Sequence, residues 1–152
     1  MKKLFLIFSV LLLLACHKTE ADPFTMEFYE IVNQYRVDLG LNELERSPAV
    51  EKIALTYSEI IAKNGSLDHF ALTPFEFKQL CKNYGIEHVI LKEILAYYPI
   101  GKTPWFVFES FIISTIHREV IEEENGEFIG ANYANKNGRQ YFTAYIILKE
   151  TQ

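Results

Sequence analysis

Two histidines and one glutamate are the side chains of this chain best suited to chemistry near neutral pH. His69, Glu93 and His117 lie on three separate segments, and each is 24 residues from the next. Imidazole and carboxylate groups bind borderline metal ions such as Zn²⁺ and also transfer protons near pH 7. We predict that the three side chains converge in one solvent-reachable cleft, with Ser114 at its rim.

The neighbours of each residue leave structural alternatives open. His69 follows a glycine in a loop, where a lone histidine is usually a surface or core residue. Glu93 lies among apolar residues, so its carboxylate must be paired, face a cavity, or sit in solvent at a strand end. His117 begins a short turn, and a position at a helix start favours the neutral imidazole that ligates metal.

Helix starts are marked by a capping residue followed by proline, a pattern that occurs four times. The pairs are Asp22-Pro23, Ser47-Pro48, Thr73-Pro74 and Thr103-Pro104. A side-chain oxygen before a proline at the first helical position predicts a helix at each place. The expected helices end near residues 39, 64, 84 and 113. The fourth is apolar almost all round, which predicts burial on more than one side.

Segments rich in β-branched and aromatic residues predict strands over residues 87–91, 127–134 and 140–149. The last two flank Asn135-Lys136-Asn137-Gly138, a turn sequence expected to close an antiparallel hairpin. The final strand is apolar on both faces, so helices must cover both sides of its sheet. The pattern predicts an α+β fold with a mainly antiparallel sheet.

The first residues predict the compartment. Lys2 and Lys3 precede an apolar run over residues 4–15, which is too short to span a bilayer and typical of a signal peptide. The run ends in Leu-Leu-Ala before Cys16, the pattern of a bacterial lipoprotein signal. An ordinary secretory signal is the alternative. We expect an extracytoplasmic, membrane-anchored lipoprotein with Cys16 lipidated.

These boundaries divide the chain into a signal peptide over residues 1–15, a lipidated cysteine and tether over 16–24, and one domain over 25–150. Removal of the signal takes away two lysines and no acids, so the formal net charge changes from −5 to −7. This negative charge argues against nucleic acid as a partner, because proteins that bind nucleic acids present a basic surface to it. Cys81 is then the only cysteine available to the domain, and no intrachain disulfide is expected.

Five short motifs, in the same order, resemble the family of cysteine-rich secretory proteins, antigen 5 and pathogenesis-related proteins, known as the CAP or SCP domain. The motifs are N-x-x-R with G-L-x-x-L, A-x-x-[YR]-[SA] with a later [SD]-H, G-E-N-[IL]-A, W-M-x-S-P-G-H-R-x-x-I, and Y-[WF]-[TV]-x-x-[FI]. The matching positions are Asn33, Arg36, Gly40, Leu41 and Leu44; Ala54, Tyr57, Ser58, Asp68 and His69; residues 92–96; residues 111–121; and Tyr141, Phe142, Thr143 and Ile146. The similarity covers about residues 27 to 148 and is closest to the short, disulfide-free bacterial branch.

The resemblance implies a three-layer α-β-α sandwich whose central cleft gathers two histidines and usually two glutamates, which in some members bind zinc or another divalent ion. Carried over to this chain, the metal ligands are His69, His117 and Glu93. Ser114 occupies the position of the second glutamate. Lys92 and Ile94 also depart from the glycine and asparagine that flank the glutamate in the family.

The predicted function is a non-enzymatic, envelope-anchored binding module whose cleft holds Zn²⁺, another divalent cation, a small ligand or an envelope component. A hydrolase is the first alternative, with Glu93 and His117 as catalytic candidates acting on a metal-bound or Glu93-activated water. A surface interaction protein with a vestigial cleft is another. A lipid or sterol carrier would instead use an aromatic cluster, which packing in the core also explains: Tyr97, Tyr98, Trp105, Phe106 and Phe108.

Overall fold

The structure is a computed structural model that describes residues 22–87 and 89–148. The helices in these ranges are α1 (Pro23–Asp38), α2 (Pro48–Asn64), α3 (Pro74–Asn83), α4 (Pro104–Ile112) and α5 (Thr115–Ile121). The strands are β1 (Glu45–Arg46), β2 (Ile90–Pro99), β3 (Gly126–Lys136) and β4 (Arg139–Leu148). Cys16 and the signal peptide predicted over residues 1–15 lie outside the described residues.

All four predicted helix starts are confirmed. Each begins with proline after a capping residue whose side chain accepts a backbone N–H, at Asp22, Ser47, Thr73 and Thr103. These bonds satisfy donors that the first turn of a helix otherwise leaves without a partner. The turn predicted at His117 is the additional helix α5, which begins after Ser114.

The sheet has the strand order β1-β3-β4-β2. Only the short β1–β3 pairing is parallel, whereas β3 and β2 flank β4 antiparallel to it. The predicted hairpin between β3 and β4 is confirmed, but its loop is only Asn137-Gly138, with φ of 50° and 73°. Two positive φ values in a two-residue loop match the right-handed twist of the strands, so pairing continues through residues predicted as turn.

Strand β2 corrects the sequence prediction. The strand was expected over residues 87–91 but spans Ile90–Pro99, which places Glu93 in its interior rather than at a strand end. Lys92 and Glu93 have low strand propensity, which shortened the sequence-based assignment. Pairing with β4 along the whole of β2 overrides that propensity, and Glu93 lies directly opposite Tyr145.

Helices cover both faces of the sheet, which confirms the three-layer α-β-α sandwich with a mainly antiparallel sheet. One face packs against α1, α4 and α5 and contributes Ile94, Phe142, Ala144 and Ile146 to the core. The other face packs against α2 and α3 and contributes Leu95, Tyr141, Tyr145 and Ile147. Alternate residues of β4 thus enter two separate apolar layers, as its two-sided apolar sequence predicts.

The N-x-x-R motif of α1 has a structural role. Asn33 binds the backbone of Leu44, donating to its carbonyl at 3.0 Å and accepting from its N–H at 2.9 Å. Arg36 is fully buried and donates to the carbonyls of Asn42 at 2.8 Å, Ile121 at 2.6 Å and Glu123 at 3.0 Å. These contacts fasten the loop after α1 and the end of α5 to one side chain.

Helix α4 is less buried than its sequence predicts. Val107, Phe108 and Phe111 are in the core, whereas Trp105 is 53% exposed and Phe106 40% exposed. The helix lies in an outer layer, so only one of its faces meets α1, α5 and the sheet. No helix within the described ranges is long and apolar enough to cross a membrane.

Candidate functional site

The structure brings two of the predicted site residues into direct contact. His69 Nδ1 lies 2.7 Å from Glu93 Oε1. The other carboxylate oxygen of Glu93 accepts a hydrogen bond from the hydroxyl of Tyr145. Both oxygens of this carboxylate are therefore engaged, one by a half-exposed imidazole and one by a buried phenol.

Tyr57 positions the loop that carries His69. Helix α2 ends at Gly65, whose φ of 73° turns the chain out of the helix. The Tyr57 hydroxyl then donates to the carbonyl of Asp68 at 2.8 Å and accepts from the N–H of Ala71 at 3.3 Å. A single side chain of α2 thus holds both sides of the loop, which fixes where the imidazole points.

Burial dominates the electrostatics at Glu93. Loss of solvent raises the pKa of its carboxyl group, although the hydrogen bonds from Tyr145 and His69 oppose that shift. Each neighbouring tyrosine is shifted mainly by its own burial and secondly by the charge of Glu93. These two causes raise the pKa of Tyr145 and bring the pKa of Tyr57 to about 12. Both phenols therefore stay protonated at neutral pH and act as hydrogen-bond donors.

A pocket of about 200 Å³ opens beside this hydrogen-bonded group. Its polar atoms belong to His69, Glu93, Tyr57 and Tyr145, and the rest of its wall is apolar. The apolar lining residues are Phe70, Leu72, Pro74, Phe77 and Leu91. The pocket therefore offers one polar end and one apolar wall to a small molecule.

His117 lines a neighbouring depression of about 430 Å³ together with Ser114. Its ring packs edge-on against Phe111, with centroids 5.3 Å apart, in the layer on the other face of the sheet from Glu93. Burial lowers the pKa of His117, and the charge of nearby His69 lowers it further. The neutral imidazole predicted here is thus favoured, by burial and by the second histidine.

The three predicted residues approach one another around the edge strand β2, from opposite sides of the sheet. His69 and Glu93 form one pocket and His117 with Ser114 forms the next. Among residues 22–87 and 89–148, no three His, Cys, Asp or Glu side chains are arranged to hold a metal ion. We therefore derive no chemistry through a metal at this site. Metal binding stays a prediction.

Comparisons with known proteins agree with this architecture. The sequence model of the cysteine-rich secretory protein family, CAP, matches residues 29–148. The chain belongs to the CAP family. This result confirms the resemblance stated from the five motifs.

Proteins similar to this CAP domain occur in bacteria. A protein of Borreliella burgdorferi described as uncharacterized is 29% identical over 137 residues, covering 86% of this chain and 84% of that protein. An outer surface protein of Borrelia burgdorferi has a TM-score of 0.72 at 22% identity, covering 86% of this chain and 96% of the other. An extracellular SCP-domain protein of Bacillus anthracis has a TM-score of 0.68 at 15% identity, covering 82% of this chain and 40% of the other. At such identities the structures show a shared fold.

Tyr145 is the site residue that sequence reasoning missed. It lies in an apolar run of β4, where nothing in its neighbours distinguishes it from a core aromatic. Its role comes from strand register, because β2 and β4 pair so that Tyr145 stands directly opposite Glu93. A signal was available only in the combination of a buried glutamate and a buried tyrosine on adjacent strands.

Other residues considered from the sequence fall outside this pocket. Lys92 forms an ion pair with Glu123, which partly neutralises its charge. This pair does not include His69 or Glu93. Cys81 is buried in the core, and burial raises the pKa of its thiol, which disfavours the nucleophilic thiolate. The aromatic cluster divides between two depressions, with Trp105 and Phe108 in one and Phe106 in the other.

Replacing Glu93 with glutamine should change how stability depends on pH. Because burial raises the carboxyl pKa, the unfolded chain loses its proton first, and the native protein loses stability as pH rises above the ordinary glutamate value. We expect the stability that Glu93→Gln gains relative to wild type to grow as pH rises above the ordinary glutamate value of about 4.3, as measured by urea unfolding. Glu59→Gln, at an exposed site, is the control. A difference independent of pH would contradict the raised pKa.

Proposed function

We propose that this CAP domain is a non-enzymatic binding module whose pocket at His69, Glu93 and Tyr145 holds a small molecule with a polar end and a short apolar body. The observation that carries the proposal is the complete engagement of the Glu93 carboxylate by His69 and Tyr145. A carboxylate held in this way orients an imidazole for recognition, and each of its oxygens already takes part in a hydrogen bond.

The chemistry of His69 indicates what the ligand carries. When the neutral imidazole donates its Nδ1–H in a hydrogen bond to Glu93, Nε2 carries no proton and its lone pair is an acceptor. A hydroxyl or N–H group on the ligand is the matching donor. The apolar wall formed by Phe77, Leu72 and Leu91 then favours an uncharged body of pocket size.

Phenol and toluene test this proposal, because they share one shape and differ by a hydroxyl. We expect NMR titration of the protein to show phenol binding at least about tenfold more tightly than toluene, the value of one good hydrogen bond in a shielded pocket. The preference should disappear in His69→Ala, while Lys63→Ala, an exposed change in α2, should preserve it. Equal affinities for the two probes in wild type would refute the proposal.

A divalent cation such as Zn²⁺ is the second ligand that we propose for this cleft. The supporting observation is that the Glu93 carboxylate orients His69 through Nδ1, which leaves Nε2 for a ligand, while His117 lies close enough to His69 for their charges to interact. Calorimetry with ZnCl₂ should show weaker binding in both His69→Ala and His117→Ala. Affinity should also fall as pH drops below about 6.5, since binding requires neutral imidazoles. Unchanged zinc affinity in the two variants would exclude a site at these histidines.

A hydrolase is the second candidate function, and the raised pKa of Glu93 is the observation that favours it. A carboxyl group titrating closer to neutral pH is suited to general acid–base catalysis, with His117 as the other candidate group. Turnover of a small ester, lost in Glu93→Gln, would favour this function over binding. We expect no turnover above that of the Glu93→Gln variant.

We also propose that the mature chain is anchored in the cell envelope through lipidated Cys16. Support comes from the signal sequence and from the outer surface location named for a protein of the same fold, and acyl chains on Cys16 would be the contact with the membrane. Cys16→Ser should abolish acyl labelling and release the protein from the membrane fraction. Cys81→Ser, which removes the buried cysteine, should leave labelling intact. Unchanged membrane fractionation of Cys16→Ser would contradict the anchor.

A further inference from the structure

A further depression, separate from the His69 pocket and the His117 depression, lies between α1 and α4. It has a volume of about 380 Å³. The residues that line it are Glu30, Ile31, Gln34, Tyr35, Asp38, Trp105 and Phe108. We call it the α1–α4 groove.

Three aromatic rings form one side of the α1–α4 groove. The Phe108 ring centroid lies 5.5 Å from that of Trp105 and 5.3 Å from that of Tyr35. Phe108 is buried, and Tyr35 is held by a 2.5 Å hydrogen bond from its hydroxyl to Glu122. Trp105 is 53% exposed, so part of the indole is open to a ligand. The Phe108 and Tyr35 rings are therefore held in place before any ligand arrives.

Carboxylates form the other side of the groove. Glu30, Gln34 and Asp38 are spaced four residues apart and so share one stripe of α1. Gln34 Nε2 donates to one oxygen of Asp38 at 2.8 Å, which leaves the second oxygen for a ligand. The lining includes no lysine or arginine, and within residues 22–87 and 89–148 neither Glu30 nor Asp38 forms an ion pair.

We propose that the α1–α4 groove binds a small organic cation of the alkylammonium class. The face of an indole or phenol ring attracts such a cation through its quadrupole, and an adjacent carboxylate adds direct charge attraction. A neutral apolar ligand would bury Glu30 and Asp38 without a partner, which is unfavourable. An anion would be repelled by the same two side chains. Rings and carboxylates together select positive charge on an apolar body.

Tryptophan fluorescence provides a direct test, because Trp105 is the only tryptophan in the chain. The probes are choline and 3,3-dimethyl-1-butanol, which has the same shape with a carbon in place of the charged nitrogen. We expect a saturable change in emission with choline and affinity at least about tenfold lower for the neutral analogue, from the loss of cation–π and charge attraction. Added NaCl should weaken choline binding.

Variants in the groove assign the effect to its parts. Asp38→Asn and Glu30→Gln should each weaken choline binding by about threefold to tenfold, while Glu27→Gln, an exposed change on the same helix outside the groove, should not. Trp105→Leu, followed by NMR instead of fluorescence, should reduce binding further. Equal binding of the two probes, or unchanged affinity in both carboxylate variants, would overturn the proposal. So would tighter binding of decanoate than of choline.

Discussion

Replacing Arg36 with methionine should lower the free energy of unfolding by about 4 kcal/mol, the largest single effect that we expect in this protein. The methionine fills much of the volume but donates no hydrogen bonds. The carbonyls of Asn42, Ile121 and Glu123, of which that of Ile121 lies in a buried hydrogen bond, would then lose the group that satisfies them. Urea unfolding followed by circular dichroism measures the difference.

Two further variants separate charge and geometry at this position. Arg36→Lys keeps the positive charge but lacks the planar fork that reaches three carbonyls at once, so we expect it to recover only part of the loss. Arg139→Met makes the same change as Arg36→Met at an exposed residue and should cost less than about 1 kcal/mol. A loss for Arg36→Met as small as that for Arg139→Met would show that its carbonyl contacts contribute little.

Gly130→Ala should be destabilising by about 3 kcal/mol, because β3 and α2 touch at this glycine. A Cβ atom there would lie 2.5 Å from Cβ of Val50 and 2.6 Å from the backbone nitrogen of Glu51. Backbone cannot move aside as a flexible side chain can, so α2 must shift as a unit. Thermal unfolding and a heteronuclear NMR spectrum measure the loss and the shift.

The displacement of α2 should also reach a buried polar network. The Tyr29 hydroxyl donates to Glu51 at 2.9 Å and accepts from the N–H of Ala131 at 2.7 Å, so it joins α1, α2 and β3. Asn135→Ala places the same side chain at an exposed position of β3 and serves as the control. Wild-type stability in Gly130→Ala would mean that α2 and β3 do not pack as closely as described.

The elements of the fold were largely predictable because their signals are local. A capping side chain followed by proline specifies a helix start whatever surrounds it, and all four predicted starts are confirmed. Strand β4 is apolar on both of its faces, so each face similarly requires a covering layer. Strand β2 was misplaced because its strand state depends on pairing with β4, and the exposure of α4 depends on which elements lie beside it.

The candidate site shows the same difference between local signals and tertiary contacts. Residue types and motif order were enough to select His69, Glu93 and His117 and to predict the family, which the comparison confirms. Only the tertiary structure decided that His69 and Glu93 bond directly, that Tyr145 completes their group, and that His117 faces a neighbouring depression. Strand register and layer assignment set these contacts, and both arise from pairing between distant segments, which no local pattern encodes.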